Sequence, residues 1–560
     1  MKRVIPIASS VLLALIVSLT PAAARSAATA GTQAAPAAPV AISLFAQVDP
    51  TYQNVDAKNW FTQYVEKTFN VKLDWSTVAP ADAVAKQQLL LESGNYPAVF
   101  YNGNFSQAQL LKFGQQGILI PLNKYLSQYA PNVLKAFGEF TGAKQAVTAP
   151  NGTIYAIPSL NYCLHCDFAG KLWINTRWMA KLHLSMPRTT AQFFQVLQAF
   201  KRMPGVKNPI PLSGATDGWN SDPTIFLMNA FTYLDGPIGG TAAPAFHVQI
   251  QQGKVAFAPI QPQYKQGLTY IHSLVTGGML DSSTFTQKNT QLQAEVQQGR
   301  VGVFAEGVDS DVVNYGTRPG PGGSKSSDWV VVPPLTGPSG ANYAAFYGQG
   351  PRIVPFAITN KATPAQIKAI LTLVNWIYTL KGTTMMNFGP QGKNWSYAKS
   401  DQRGLCGGKG ILNINWNAPT TQWGWSQLGP MYQSHVWRCG GPYTAIFSPT
   451  SEEEKYQTMT AQNYEGHQPK QVYPAAIWLS PTQTTSFATT QTTINSYVAQ
   501  STYDFILGRK DIASNWSSYV SGLQGLGLAQ YLQTLQSANP KPVPTTEFCP
   551  STPTTLPCHH

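Results

Sequence analysis

The stretch "LWINTRWMAKLHLSMPRTTAQFFQVLQAFK", residues 172–201, places a strand pattern and a helix pattern on either side of a proline. Residues 171–175 are strand-like, and no catalytic motif accompanies them. Thr189 and Gln192 have the spacing of a capping box, in which each side chain can satisfy the other residue's backbone N–H. Apolar residues at helical spacing form the predicted buried face: Phe193, Leu197 and Phe200.

The same alternation of strand and helix begins near the N-terminus. Strand patterns cover residues 40–46, 71–75 and 97–101, and helix patterns lie between them at 60–69 and 81–93. Strands that alternate with helices indicate a mainly parallel sheet covered on both faces. The sequence therefore predicts an α/β fold.

Two more amphipathic helices are predicted downstream. One covers residues 264–275. The other begins at Thr363-Pro364-Ala365-Gln366, a second capping box with proline in the favoured first helical position. Its predicted buried stripe consists of Ile367, Ile370, Leu371 and Val374.

Residues 1–24 have the anatomy of a secretory signal peptide. Lys2 and Arg3 precede a mostly apolar run, and small residues suited to cleavage follow it. The run is short for a bilayer span, although an uncleaved anchor is the alternative. Residues 25–40 are too poor in large side chains to bury a core and are interpreted as a flexible leader. The signal peptide leads us to expect an extracytoplasmic protein, periplasmic or associated with the cell wall. Since no cysteine precedes Cys163, we expect no lipoprotein cysteine.

The surface is predicted to be polar but weakly charged. Charged residues are 11% of the chain, against roughly a quarter in an average soluble protein. The net charge of +13 comes from dispersed Lys and Arg residues and a scarcity of acidic ones, with no basic stripe. We therefore expect no nucleic-acid partner. A scarcity of carboxylates would suit an acidic exterior, where carboxylates lose their charge. Separately, we expect the protein to be a monomer.

Six cysteines in a secreted chain indicate disulfides. Their order along the chain suggests three local pairs: Cys163–Cys166, Cys406–Cys439 and Cys549–Cys558. The first pair, in "CLHC", could instead be a redox motif or half of a zinc site. No second CxxC accompanies it and the strand-then-helix setting of a redox motif is missing, so a structural disulfide is favoured.

Seven segments in one order resemble a known family. They are "LLLESGNYPAVFY" (89–101), "GILIPLNKYL" (117–126), "APNGTIYAIP" (149–158), the opening stretch 172–201, "YKQGLTYIHSLVTGGMLDSSTFTQ" (264–287), "GRVGVF" (299–304) and "FGPQGKNWSYA" (388–398). The chain resembles the extracellular solute-binding proteins (family 1) of carbohydrate ABC importers, in the large oligosaccharide-binding branch of LplA type. Two positions depart from the family pattern: Ala98 stands where an Asp is usual, and His183 stands where the turn has a Gly.

The resemblance implies a two-lobed periplasmic-binding-protein fold (type II, Venus-flytrap) with a ligand cleft between discontinuous lobes. We expect lobe one to comprise residues 41–160 plus 305–355. Lobe two would then comprise 161–304 plus 356–538. Residues 539–560 are rich in Pro and Thr and are interpreted as a tail.

A sugar cleft needs flat aromatic rings for the pyranose faces and amide or carboxylate groups for the hydroxyl rims, because an unpaired buried polar group costs about 1–3 kcal/mol. Ligands of α/β sheets bind beyond the carboxyl ends of strands. Residues of both kinds near loop ends are the candidate binding set: Asn102, Asn104, Asp217, Trp219, Asn220, Glu306, Tyr347, Trp395, Trp416 and Trp423. Trp425 belongs to the same segment as the last two. For any single Trp, packing inside a lobe is the competing interpretation.

The resemblance also suggests a calcium loop after the helix that ends at 201, as alginate-binding relatives have there. Here residues 202–212 contain no acidic side chain. Calcium takes six to eight oxygen ligands, many of them carboxylates. We therefore predict no calcium at this loop, and we assign no metal or cofactor elsewhere.

The implied function is capture of an oligosaccharide by lobe closure and its delivery to the membrane permease of an ABC importer, without enzymatic activity. A secreted glycoside hydrolase is one alternative, but it needs two carboxylates about 5–10 Å apart and no spacing identifies such a pair. GxSxG, HExxH and Walker A motifs are absent. A cell-wall carbohydrate-binding adhesin is another alternative, supported only by the Thr/Pro-rich tail.

Overall fold

The computed structural model describes residues 37–49, 54–140, 142–238, 245–313, 326–347, 356–397, 411–413, 425, 428–434, 437, 459–460, 462–474, 476–538 and 541–545. The strands in these residues are β1 (Val40–Gln47), β2 (Val71–Val78), β3 (Val99–Asn102), β4 (Leu160–Asn161), β5 (Leu172–Asn175), β6 (Ile210–Ser213), β7 (Val248–Gln251), β8 (Lys254–Phe257), β9 (Val301–Ala305), β10 (Trp329–Val331), β11 (Ala357–Ile358), β12 (Trp395–Tyr397), β13 (Ile411–Asn413), β14 (Tyr432–Gln433), β15 (Gln471–Val472) and β16 (Val543–Pro544).

The α-helices in the same residues are α1 (Trp60–Phe69), α2 (Pro80–Ser93), α3 (Gln107–Gln115), α4 (Asn123–Tyr129), α5 (Pro131–Glu139), α6 (Ala143–Val147), α7 (Leu164–Asp167), α8 (Thr176–Lys181), α9 (Thr190–Phe200), α10 (Thr224–Met228), α11 (Pro262–Thr276), α12 (Asn289–Gln297), α13 (Pro364–Ile377), α14 (Leu380–Phe388), α15 (Pro481–Ile506), α16 (Ile512–Gly525) and α17 (Leu528–Ser537). Within the described part of the chain, no helix is both long and apolar enough to cross a membrane.

Two four-stranded sheets organise the fold. The first has the order β11-β3-β1-β2, with β1 parallel to both neighbours and β11 antiparallel to β3. The second has the order β10-β5-β9-β6, with β6 parallel to β9 and β5 antiparallel to both β9 and β10. The α/β prediction is confirmed. The second sheet is mixed because β5 runs against its neighbours.

Each sheet has its own hydrophobic core. The first core contains buried residues of 42–160, of 356–386 and of 425–432. The second core contains buried residues of 164–346 and of 464–535. The chain therefore passes between the two cores after Leu160, after Phe346 and after Tyr432.

The expected lobe boundaries need correction in the return segment. Residues 305–355 were expected in lobe one, yet β10 pairs with β5 of the second sheet, Trp329 opposite Asn175. The Trp329 ring packs on Phe304, with centroids 4.6 Å apart. Conversely, β11 pairs with β3 of the first sheet. The described residues 305–347 thus belong with the second core and 356–386 with the first.

Local sequence signals account for several helix starts. Thr363 and Gln366 form the expected capping box: the Gln366 backbone N–H donates to Thr363 Oγ1 (3.3 Å), and Gln366 Oε1 accepts from the Thr363 N–H (2.8 Å). At the other box, Thr189 Oγ1 accepts from the Gln192 N–H (3.1 Å), while Gln192 Oε1 accepts from the N–H of Arg188 instead of Thr189. The predicted faces of α9 and α13 are buried.

His183 adopts a left-handed backbone conformation with φ of 52°. Glycine takes this conformation without steric cost, whereas other L-residues pay for the contact of Cβ with the backbone. This explains why a Gly stands in the family's turn, and it shows that the backbone turn persists here despite the substitution.

We predict that Thr363→Ala lowers the free energy of unfolding by about 1 kcal/mol, because the Gln366 backbone N–H at the start of α13 loses Thr363 Oγ1 as its acceptor. Thr372→Ala in the same helix is the matched control. Thr372 is exposed and its hydroxyl donates to Lys368 O inside the helix, so its replacement is expected to leave stability equal or higher. Urea unfolding measures both variants, and equal stability of the two would contradict the capping assignment.

Candidate functional site

Four of the predicted binding residues lie at one edge of the second sheet. β6 and β9 are parallel neighbours, so the segments that follow them emerge at the same edge. Asp217, Trp219 and Asn220 follow β6, and Glu306 directly follows β9. β5 is antiparallel to β9 with Leu172 opposite Ala305, so the residues before β5 reach this edge as well.

Residues 163–171, which include the short helix α7 and are here called the CLHC loop, form one wall of this site. The His165 ring meets the Trp219 ring edge to face, with centroids 5.7 Å apart and planes at 86°. The backbone N–H of Tyr347 donates to Asp167 O (2.9 Å). The predicted aromatic residues of the second core therefore contact the same loop.

Glu306 is fully buried and joins three segments. Ser221 Oγ donates to Glu306 Oε2, and Asn289 Nδ2 donates to the same oxygen (3.3 Å). The N–H of Gly307 donates to Oε1 (3.2 Å), and the Trp173 indole N–H donates to the Glu306 carbonyl (2.8 Å). Burial raises the pKa of Glu306 well above its ordinary value. The structure thus makes Glu306 an internal support of the site.

Trp219 is half-buried and tightly held by Gly307. The Gly307 N–H donates to the Trp219 carbonyl (2.6 Å). A Cβ at position 307 would lie 2.3 Å from Trp219 Cε3, closer than any stable contact. Glycine is needed here because the indole ring passes directly over its Cα. Trp219 keeps part of its surface exposed, which leaves it accessible to a ligand.

The neighbouring polar residues have defined partners. The Tyr347 hydroxyl donates to Asn220 Oδ1. Asp217 Oδ1 accepts from the Asn289 N–H at the start of α12 (2.7 Å), and Asp217 Oδ2 lies 3.6 Å from Lys288 Nζ. Asp217 therefore supports the α12 N-terminus, while Asn220 and Tyr347 form a coupled polar pair beside Trp219.

Asn102 and Asn104 lie at the carboxyl end of β3, a strand of the first sheet. Asn102 is buried: its Nδ2 donates to Gln47 O (2.6 Å) and its Oδ1 accepts from the Gly429 N–H (3.1 Å). Asn102 thus joins the ends of two strands to the 428–434 segment. Asn104 is exposed, and its backbone is paired with the Gln87 side chain.

The described tryptophans of residues 388–425 are buried. Trp395 is only 2% exposed and its indole N–H donates to Gly389 O (3.0 Å). Its assignment as a ligand-stacking ring is wrong, because the ring is packed inside the protein. Trp425 is fully buried against Phe61 and Tyr101. Trp416 and Trp423 lie outside the described residues.

The sulfur atoms of Cys163 and Cys166 are at disulfide bonding distance, with the Cα atoms 5.1 Å apart. Cys406, Cys439, Cys549 and Cys558 lie outside the described residues, so their pairings stay predictions. Among the residues that the structure describes, Cys163, His165 and Cys166 are the group that could hold a metal ion, with ligand atoms within 4.8 Å of one another. A disulfide between the two sulfurs leaves neither as a thiolate ligand.

At the loop expected to lack calcium, basic side chains contact backbone carbonyls. Lys181 Nζ donates to Pro204 O (2.8 Å), and Arg300 Nε donates to Asn208 O (3.3 Å). Lys207 and Arg300 also line a groove at this end of the sheet. It lies before β6 and β9, at the edge opposite the Trp219 site.

Sequence reasoning missed three residues that build the site: His165, Ser221 and Asn289. The pattern of the "CLHC" motif points to its cysteines, whereas the His between them is the residue that contacts Trp219. Ser221 directly follows the predicted "DGWN" turn, which was a usable signal. Asn289 reaches Glu306 only through folding, and nothing in its local sequence indicates this.

Two α/β cores, with an aromatic and polar site at the strand ends of one of them, are features of a two-domain ligand-binding protein. The chain belongs to the bacterial extracellular solute-binding proteins, whose family model matches residues 52–384. This confirms the resemblance on which the expected fold rests.

Two relatives illustrate the similarity. The fructooligosaccharide ABC transporter substrate-binding protein FusA of Streptococcus pneumoniae serotype 4 is 26% identical over 508 residues, covering 85% of each chain. Its solved structure in complex with kestose has a TM-score of 0.70 at 22% identity, covering 89% of this chain and 98% of that one. An extracellular solute-binding protein from Bifidobacterium longum subsp. infantis has a TM-score of 0.73 at 20% identity, with the same coverage. These structures share the two-domain solute-binding fold.

We predict that Glu306→Gln makes the stability of the protein less dependent on pH. The folded-state pKa of Glu306 is raised, so its contribution to stability is present below the ordinary carboxyl pKa and is lost as the pH rises through the folded-state value. The variant lacks this ionisation. Its unfolding free energy should therefore fall less than that of the wild type as the pH rises.

Glu92→Gln, at an exposed position of α2, is the control. Urea unfolding at a series of pH values compares the three proteins. If Glu306→Gln kept the full pH dependence of the wild type, the raised folded-state pKa of Glu306 would be contradicted.

Proposed function

We propose that this protein binds an oligosaccharide reversibly and presents it to the membrane permease of an ABC importer. The observation that carries the proposal is the partly exposed Trp219, held by Gly307 at the carboxyl ends of parallel strands and flanked by the Asn220–Tyr347 pair. A ring of this kind can bury the C–H face of a sugar, while the amide and hydroxyl pair can bond its rim. FusA, named for fructooligosaccharide, supports the ligand class.

The two cores supply the mechanism. We assign residues 41–160 plus 356–432 to lobe one and 164–346 plus 464–538 to lobe two, following the packing of the described residues. Trp219 lies in lobe two, and the Asn102 region lies at the strand ends of lobe one. A ligand that contacts both lobes favours the closed state over the open one, and closure then forms the surface that the permease recognises.

Binding without hydrolysis is part of the proposal. A glycoside hydrolase needs two carboxyl groups about 5–10 Å apart that both reach the substrate. In the Trp219 site, Glu306 is buried among Ser221, Asn289 and Gly307, and Asp217 is engaged with Lys288 and the α12 N-terminus. Both carboxyl groups have supporting roles, so this pair is unsuited to acid–base catalysis.

The proposal includes the setting in which the protein acts. The protein is a monomer outside the cytosol, and its signal peptide is removed. The chain, with 11% charged residues and no basic stripe, binds no nucleic acid, and it uses no cofactor. The permease and the oligosaccharide are its partners.

A ligand screen with matched tryptophan variants tests the proposal. Kestose, nystose and tri-galacturonic acid are compared by thermal shift, and binding at 100 times the dissociation constant should add about 2.7 kcal/mol of stability. Trp219→Ala is expected to weaken binding of the oligosaccharide that the wild type binds by about 10- to 100-fold, since a central aromatic contact contributes about 2 kcal/mol or more. Trp516→Ala is the control: this half-buried Trp lies on α16, and Lys265 Nζ is 5.7 Å from its ring centroid.

Isothermal titration measures the dissociation constants, and a reducing-end assay measures turnover of the same sugars. Equal affinity of Trp219→Ala and the wild type would remove Trp219 from the site. Release of new reducing ends would replace the binding function with hydrolysis.

We further predict that Gly307→Ala weakens oligosaccharide binding by about tenfold or more, because the added Cβ displaces the Trp219 ring. Gly138→Ala is the matched control: a Cβ at Gly138 in α5 meets no atom within 4 Å, and alanine favours a helix. Titration of both variants measures the difference. Unchanged affinity in Gly307→Ala would show that the position of the Trp219 ring does not determine binding.

A further inference from the structure

We propose that the Cys163–Cys166 disulfide sets the affinity of the Trp219 site, by holding His165 against the Trp219 ring. His165 is thus a positioning residue, and ligand affinity depends on the redox state of the CLHC loop. This inference rests on the proposed function. It adds His165 as a positioning residue and reduction of the disulfide as a means of changing ligand affinity. Four structural observations support it.

The first observation is the place of the loop in the chain. Just before it, β4 pairs with β14 of the first core, and the Tyr162 N–H donates to Gln433 O (2.8 Å). Directly after it, Leu172 begins β5 of the second sheet. The CLHC loop therefore connects the two cores, and its conformation is set between two fixed strands.

The second observation is how the loop is fastened internally. The disulfide closes residues 163–166, and the N–H groups of Cys166 and Asp167 both donate to Cys163 O (3.0 Å each). At the other end, the Lys171 side chain is 1% exposed, and its Nζ donates to His165 O (2.7 Å) and Phe168 O (2.5 Å). A covalent bond and a buried ammonium group thus hold the loop from both ends.

The third observation is the contact of His165 with the site. His165 is 7% exposed, and its ring lies edge-on to the ring of the partly exposed Trp219. An edge-to-face contact constrains the tilt of both rings. With Gly307 under the indole, His165 completes the support of Trp219.

The fourth observation extends the same support to Tyr347. The Tyr347 N–H donates to Asp167 O, and a Cβ at Gly170 would lie 2.7 Å from Ala345 Cβ and 3.3 Å from the Tyr347 hydroxyl oxygen. The chain around 345–347 therefore packs closely on the end of the CLHC loop. A change in the loop reaches both aromatic residues of the site.

Reduction breaks the Cys163–Cys166 disulfide and leaves the hydrogen bonds of Lys171 in place. A dithiol reductant transfers two electrons and two protons to the Cys163–Cys166 bond, which becomes two thiols while the reductant becomes a disulfide. Lys171 still holds the carbonyls of His165 and Phe168, but the N-terminal half of the loop gains conformations. If the supporting conformation is then populated about a tenth of the time, the apparent dissociation constant rises about tenfold.

The experiment uses the full-length protein labelled with 5-fluorotryptophan. The ¹⁹F signal of Trp219 is assigned as the one missing in Trp219→Phe. We expect it to shift or broaden when the wild type is reduced with dithiothreitol, and to do the same without reductant in the Cys163→Ser/Cys166→Ser variant. Cys406→Ser/Cys439→Ser is the matched control and should leave the signal in place. EDTA is present throughout, because the freed thiols and His165 could otherwise bind a soft metal ion.

Isothermal titration with kestose measures the consequence for binding. Cys163→Ser/Cys166→Ser and His165→Ala should each raise the dissociation constant about tenfold, and the triple variant should be no weaker than either, because the disulfide acts through His165. His165→Phe keeps a ring at the same place and should restore most of the affinity. A merely structural disulfide would lower the melting temperature of the variant without this non-additive pattern.

The outcomes separate this inference from the proposed function. If the wild type binds kestose and the cysteine variant binds it equally well with an unmoved Trp219 signal, the disulfide has no role in the site. If the wild type binds no oligosaccharide of the panel, the proposed function fails, and the ¹⁹F signal still decides whether the disulfide positions Trp219. Should the double serine variant not fold, reduction of the folded wild type gives the same comparison.

Discussion

The candidate site depends on the buried carboxyl group of Glu306. It lies at the end of β9 and accepts hydrogen bonds from the turn after β6 and from the first residue of α12. Burial of an unpaired polar group is costly, so these donors must stay in place while the protein is folded. The Ser221 and Asn289 contacts fix the turn that carries Trp219, and Gly307, the next residue, lies directly under the indole ring. The position of the Trp219 ring therefore depends on the buried hydrogen bonds of Glu306.

Much of the fold could be predicted from the sequence because its signals are local. The period of apolar residues predicted α1, α9 and α13, and the Thr363 capping box marked a helix start to the residue. Strand pairing is not local. The three residues of β10 do not indicate which sheet they join, and only folding shows that they pair with β5. This is why the sequence does not predict that the described residues of 305–347 pack with the second core.

The candidate site was predictable in part, for the same reason. Trp219, Asn220 and Tyr347 could be chosen because rings beside short polar residues in turns are typical of sugar sites. Burial separates a stacking ring from a packed one, and it depends on distant partners. Trp395 looked like Trp219 in its local sequence, yet it is enclosed and bonded to Gly389. His165 precedes β5 and Trp219 follows β6, so only folding brings the two rings together. The local sequence of His165 therefore does not predict this contact.

The central claim is that an oligosaccharide binds at the carboxyl ends of β6 and β9, against Trp219. Hydrogen–deuterium exchange with and without saturating oligosaccharide tests it most directly, because protection reports the place of contact along the whole chain. The account predicts that added protection concentrates in residues 214–221 and 163–171, with a second region near 102–105. Protection confined to residues 205–208 and 298–300, at the opposite edge of the sheet, would contradict it.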